Sequence, residues 1–116
     1  MSAFIESYSF GNIVIKGNSY NSDVKIINGE VKPNWWRKEG HRLYPEDITD
    51  ILESDCKVLV VGTGAYGVMK IDPTVEAACQ EKGLKLEAYK TSEAVKRFNE
   101  LMASGEKVAG AFHLTC

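Results

Sequence analysis

At 116 residues the chain has the length of one ordinary domain, enough to bury a core without disulfide or metal staples. A formal net charge of −2, a pI near 5.7 and interspersed acids and bases argue against a nucleic-acid partner, which calls for a basic face. The apolar runs fall far short of the ~20 residues a membrane helix needs, and the opening Met1-Ser2-Ala3-Phe4-Ile5-Glu6 reads neither as a secretory signal nor as an Arg-rich transit peptide, which points to the cytoplasm with no membrane partner.

The first thirty residues read as strands. Phe4, Glu6 and Tyr8 alternate with Ile5, Ser7 and Phe10 up to Gly11-Asn12; Ile13-Val14-Ile15 ends at Gly17-Asn18; Val24-Lys25-Ile26-Ile27 closes at Asn28-Gly29. Short β-branched runs separated by Asn/Gly pairs are a hairpin signature, and Asn28-Gly29 suits a turn in which both central residues need positive φ. Residues 33–40 fit no period and read as a loop or an irregular edge.

From Pro45 the pattern changes. Pro45-Glu46-Asp47 places proline and acids in a first helical turn, and Ile48, Ile51 and Leu52 give one short apolar stripe that ends near Ser54-Asp55. Residues 58–61 are apolar on both faces, as in the middle of a covered sheet. Asp72 and Pro73 open a second helix running to Lys82, with Gly83 as its stop. Leu84, Leu86 and Ala88 alternate with Lys85, Glu87 and Tyr89 as a half-buried strand. Thr91 or Ser92 is expected to cap a third helix carrying Ala94, Val95, Phe98, Leu101 and Met102, ended by Gly105. Val108-Ala109-Gly110-Ala111-Phe112 makes a last strand whose small residues suit packing under a helix. The fold expected is a single α/β domain over 1–116: a mixed central β-sheet flanked by helices, with an added N-terminal antiparallel β-hairpin layer.

Gly62-Thr63-Gly64-Ala65-Tyr66-Gly67 has the spacing G-x-G-x-x-G at the end of the apolar strand, as in dinucleotide-binding folds, and Glu87 follows Gly62 by 25 residues, near the spacing of a ribose-binding acid. In those folds the helix begins within the motif, so that its first N–H groups meet the pyrophosphate. Here the best helix start is Asp72-Pro73. The glycines are therefore expected to shape a loop, and no cofactor is assigned.

Several motifs in order resemble one family over nearly the whole chain: Trp35-Trp36 with Gly40-His41; Val60-Val61-Gly62-Thr63-Gly64; Thr91-Ser92-Glu93-Ala94 with Phe98-Asn99; and the run Gly110-Ala111-Phe112-His113-Leu114-Thr115-Cys116. They resemble the small archaeal and bacterial hypothetical proteins related to the human adipogenesis-associated domain protein, a superfamily that also holds a mitochondrial complex I assembly factor. The resemblance implies an α/β fold with a mixed central sheet and implies no established reaction. Without a transit peptide, the chain is expected to follow the cytosolic branch.

Candidate sites follow from residue chemistry. Gly62, Thr63, Gly64 and Tyr66 end a buried strand, where open α/β sheets place ligands and backbone N–H groups can hold an anion. Lys70 follows that loop, and His113 ends a strand expected beside it. Trp35, Trp36 and Arg37 form a candidate interface, with one tryptophan covering the open side of the N-terminal sheet and the other exposed. His41, His113 and Cys116 make a poor metal set, since residues 113 and 116 on a continued strand would face opposite ways. The odd cysteine count (Cys56, Cys79, Cys116) without C-x-x-C reads as reduced thiols, with Cys79 on a core face beside Val75 and Ala78. Glu46, Asp47 and Asp50 read as helix-end and solvated acids, Arg97 as a surface charge, and no residue is assigned to catalysis or to a metal. The expected activity is binding: an adaptor domain holding a protein partner or small molecule, or alternatively a small enzyme or binding protein for an anionic metabolite at the loop 62–67.

Overall fold

The computed structural model describes residues 3–116; Met1 and Ser2, part of the stretch read for targeting, lie outside the described residues. The strands are β1 (Ile5–Ser9), β2 (Asn12–Ile15), β3 (Asn18–Tyr20), β4 (Val24–Ile27), β5 (Glu30–Lys32), β6 (Arg42–Leu43), β7 (Val58–Thr63), β8 (Lys70–Ile71), β9 (Lys85–Tyr89) and β10 (Val108–His113). The helices are α1 (Thr49–Leu52), preceded by a 3-10 turn at Pro45–Ile48, α2 (Pro73–Glu81) and α3 (Thr91–Ala103).

Five strands form a mixed sheet in the order β5-β4-β10-β7-β9. β10 and β9 run parallel to β7, while β4 runs antiparallel to β10. The fold is therefore the mixed α/β architecture expected, with a separate antiparallel sheet β1-β2-β3 as the N-terminal layer. The sheet is buried on both faces because its central strands are apolar over residues 58–61 and 108–112, and alternation sorts the side chains. Val58 and Val60 of β7, with Phe112 of β10, join α3 and the three-stranded sheet; Leu59 and Val61, with Ala109 and Ala111, join α1, α2 and Trp35. Gly110 lies under α3: a Cβ there would approach Phe98 to 3.1 Å.

Helix starts follow local chemistry. Asp72 caps α2 by accepting the Thr74 N–H, with Pro73 in the first turn. At α3 the expectation is corrected. Lys90 is the N-cap and makes no side-chain cap bond, while Thr91 is already helical and fully buried. Its hydroxyl is engaged elsewhere, as described below. The connection 64–72 is also not plain loop: β8 pairs in parallel with β6.

Candidate functional site

The parallel register pairs Thr63 of β7 with His113 of β10, so the glycine loop and His113 emerge at the same strand ends. The expected cleft over the loop is nevertheless filled by the chain itself. Gly64 N–H donates to Thr91 Oγ1 (2.9 Å), Ala65 N–H to the Thr115 carbonyl (2.6 Å) and Val68 N–H to the Cys116 carbonyl (3.0 Å). Gly64 sits at φ +107°, and a Cβ there would lie 2.3 Å from the Cys116 carbonyl carbon. These glycines permit close backbone packing, and the amides that would cradle an anion are engaged internally. Thr91 ties the arrangement together, donating to the His113 carbonyl at 2.6 Å while accepting from Gly64.

The other residues expected at this loop also have separate surroundings. Tyr66 is exposed, with its ring 6.2 Å from that of Phe10. Lys70 is exposed and uses its backbone N–H on the His41 carbonyl. Glu87, near the spacing of a ribose-binding acid, is instead paired with Arg97. Arg97 Nε donates to it at 2.7 Å, and this contact, opposed by partial burial and aided by the Tyr89 hydroxyl, lowers its carboxyl to about 2. Arg97 is thus a partner in a defined ion pair and not a free surface charge.

A different cluster forms where β4 and β10 meet. The antiparallel pairing of Phe112 with Val24 brings Asp23, the residue before β4, beside His113. Asp23 Oδ2 lies 2.8 Å from His113 Nδ1 and 2.9 Å from Arg37 Nη2, and Oδ1 accepts the Leu114 N–H at 2.8 Å. Burial alone would raise the Asp23 carboxyl; bonds from His113, the Leu114 amide and Arg37 outweigh it and hold the group below the ordinary aspartate range.

Loop 33–41 carries Arg37 into this place through a chain of anchors. Trp35 N–H donates to the Asp23 carbonyl, and its indole N–H donates to the Asp47 carbonyl at 2.9 Å. The buried Asp47 carboxylate accepts the Lys38 and Tyr44 N–H groups, bracing both ends of the loop. Arg37 Nε and Nη2 donate to the Gly40 carbonyl, and the guanidinium lies 4.6 Å from the Trp35 ring centroid.

The tryptophan pair resolves accordingly. Trp35 is 6% exposed and packs with Leu43 and Ile48 on the helix α1–α2 face, not over the N-terminal sheet as expected; Trp36 is 86% exposed. Trp36, Arg37, Gly40 and His113 line a cavity of about 440 Å³ with Asp23, Asn34 and residues 21–22. The Arg37 and His113 side chains are 4% and 6% exposed. Among the described residues, the buried side-chain nitrogens and oxygens without a hydrogen-bond partner are Arg37 Nη1 and His113 Nε2, both in residues lining this cavity.

Asp23 and Asp47 carry this site, and sequence reasoning did not single out either as functional. Asp23 is a lone acid before a short strand, without a motif; Asp47 has the pattern of a first-turn helix acid. His41, considered with His113 and Cys116 as a metal set, has its ring centroid 5.7 Å from that of His113, whose Nδ1 is engaged by Asp23. Cys56 and Cys79 are buried free thiols, and burial pushes the Cys79 thiol above its ordinary range.

Solved structures share this architecture. A conserved hypothetical protein from Pyrococcus horikoshii OT3 is 28% identical with a TM-score of 0.82, covering 97% of this chain and 98% of its own. A protein named MT938 is 27% identical with a TM-score of 0.82, covering 99% and 100%. A Bartonella henselae protein described as an outer membrane protein is 24% identical with a TM-score of 0.85, covering 99% and 97%, and shows the fold alone. No helix among the described residues is long and apolar enough to cross a membrane. A family model described as a protein of unknown function matches residues 5–113, and by that match the chain belongs to the DUF498/DUF598 family, that of the adipogenesis-associated, Mth938-like domain.

Proposed function

We propose that this chain is a binding domain for a small anionic molecule, held in the cavity beneath Trp36 with Arg37 as the residue that recognises the anion. The observation that carries this reading is Arg37, a residue of the cavity lining whose guanidinium is almost fully buried and whose Nη1 has no hydrogen-bond partner. A buried donor without an acceptor costs about 1–3 kcal/mol, more when charged, and a carboxylate or phosphate oxygen is a suitable partner for a guanidinium edge. Trp36 adds a broad apolar face and is the one large exposed hydrophobic among the cavity residues, which favours a small ligand over an extended protein interface. The volume suits a small metabolite, and the place, outside the ends of parallel strands, is where open α/β sheets hold ligands. The free thiols support a reducing compartment such as the cytoplasm.

Thermal shift and calorimetry with benzoate, acetate and inorganic phosphate test the reading. A bound anion at a hundred times its Kd adds about 2.7 kcal/mol of stability. Arg37→Lys is expected to weaken binding at least tenfold. Trp36→Ala is expected to change stability by less than about 0.5 kcal/mol, as for an exposed residue, and still weaken benzoate. No response to any of the three anions overturns the proposal.

A catalytic use of the same cavity is the second reading, favoured by the 2.8 Å contact of Asp23 with His113 Nδ1, the geometry of a base and its orienting carboxylate. Turnover of small carboxylate or phosphate esters, lost in His113→Gln, would establish it. A panel without turnover leaves the binding reading as the function.

A further inference from the structure

The charges around this cavity are balanced before any anion enters. Arg37 is paired with Asp23 at 2.9 Å, and the depressed Asp23 carboxyl remains ionised at neutral pH. An ionised Asp23 requires the imidazole proton on Nδ1, its 2.8 Å partner, so the Nε2 of a neutral His113 presents a lone pair. An entering anion would then leave one uncompensated negative charge where Arg37 and His113 are shut off from water, with a second acceptor, Nε2, beside it. Unmatched charge in such a place is costly.

One event corrects both faults. A proton on Nε2 turns the acceptor into a donor and restores neutrality, so that Arg37 Nη1 and His113 Nε2 both become donors toward the ligand. We infer that anion binding in this cavity takes up one proton, carried by His113, so the ligand class is a small acid bound as its anion plus a proton. The inference rests on the binding reading above and deepens it.

The groups facing His113 set the sense of the coupling. Asp23, from the turn before β4, favours the imidazolium. Arg37 Nη2, 3.1 Å from Nδ1, and His41, with ring centroids 5.7 Å apart, oppose it. Thr91 Oγ1 donates to the His113 carbonyl and Thr63 pairs with it in the sheet; both are neutral. The ligand's charge is what tips this balance toward the protonated form.

Calorimetry with benzoate at pH 7.5, in buffers of differing ionisation enthalpy, reads the proton directly. The expected slope of observed enthalpy against buffer enthalpy corresponds to uptake of close to one proton. At pH values where His113 of the free chain is neutral, Kd is expected to weaken about tenfold per pH unit. Imidazole nitrogen NMR shifts of His113 are expected to move to the imidazolium position when benzoate is added at fixed pH. His113→Gln is expected to bind benzoate more weakly, with a slope of zero and no pH dependence, while His41→Gln keeps both the affinity and the coupling. Binding with a slope of zero in the unmodified chain, or His113 shifts that stay at the neutral position, overturns the proton coupling and leaves the binding reading standing. Absence of any binding by benzoate, acetate or phosphate overturns both.

Discussion

The glycine loop and the Trp36 cavity lie at the ends of neighbouring parallel strands, and they are opposites. The loop has a recognisable spacing, yet Thr91 and the carbonyls of Thr115 and Cys116 engage its amides and close its space. The cavity has no ligand-binding spacing of that kind. It draws Asp23, Arg37 and His113 from three distant segments and leaves two buried nitrogens without partners. A glycine pattern reports where backbone must approach something closely; it does not say whether that something is a ligand or the chain itself. Polar atoms that the fold buries and does not satisfy are the stronger pointer to a binding site.

The comparison can be broken most severely at Asp23. Asp23→Asn leaves the Arg37 charge buried without its counter-ion, and a loss of about 3–5 kcal/mol is expected in denaturant unfolding. A loss below about 1 kcal/mol would mean that the cluster is wetter than its burial implies. On the loop side, Gly64→Ala must move the backbone at Cys116 and adopt φ +107°, at an expected cost of about 3 kcal/mol or more. Gly17→Ala, at φ +81° with nothing within 4 Å, is expected to cost only about 1 kcal/mol. Equal losses would show that the loop is not packed as described.

Thr91→Val tests the link between the two regions. It strands the Gly64 N–H and the His113 carbonyl together, with an expected loss of about 2–3 kcal/mol, while Thr91→Ser keeps the hydroxyl and most of that stability. If Val and Ser behave alike, the hydroxyl is not what joins loop to cavity.

A smaller effect than at Thr91 is expected at Glu87, outside both regions. Its carboxyl is lowered from 4.5 to about 2 in the folded chain. A depressed carboxyl contributes stability above its unfolded value and loses it as pH falls, so the contribution should fade between about pH 4.5 and pH 2. Glu87→Gln is expected to cost about 1 kcal/mol at pH 7, given a half-exposed partner, and to remove that acid-sensitive step from the stability profile. An unchanged profile would place the acid sensitivity elsewhere, with Asp23 the next group to examine.

The order of the longer strands and helices was readable from local pattern because it depends on neighbours a few positions apart; the short pair β6 and β8 was not. Asn28-Gly29 turns between β4 and β5, Asp72-Pro73 opens α2, and residues 58–61 are apolar on both faces of β7. The exceptions share one cause. Thr91 has the sequence of a cap but donates to His113, and Trp35 belongs to the helix face and not to the N-terminal sheet. In each case a partner far along the chain competes with the local role.

Periodicity, turn residues and the late proline thus carried the architecture and placed the helix start well beyond the glycines, because backbone sterics and side-chain alternation act locally. Which amides stay free, which tryptophan is covered, and that Asp23 meets Arg37 and His113 were decided only once β4 paired with β10 and loop 33–41 closed over the sheet. Hydrogen-bond satisfaction and burial are properties of assembled neighbours, and no stretch of residues contains them in advance.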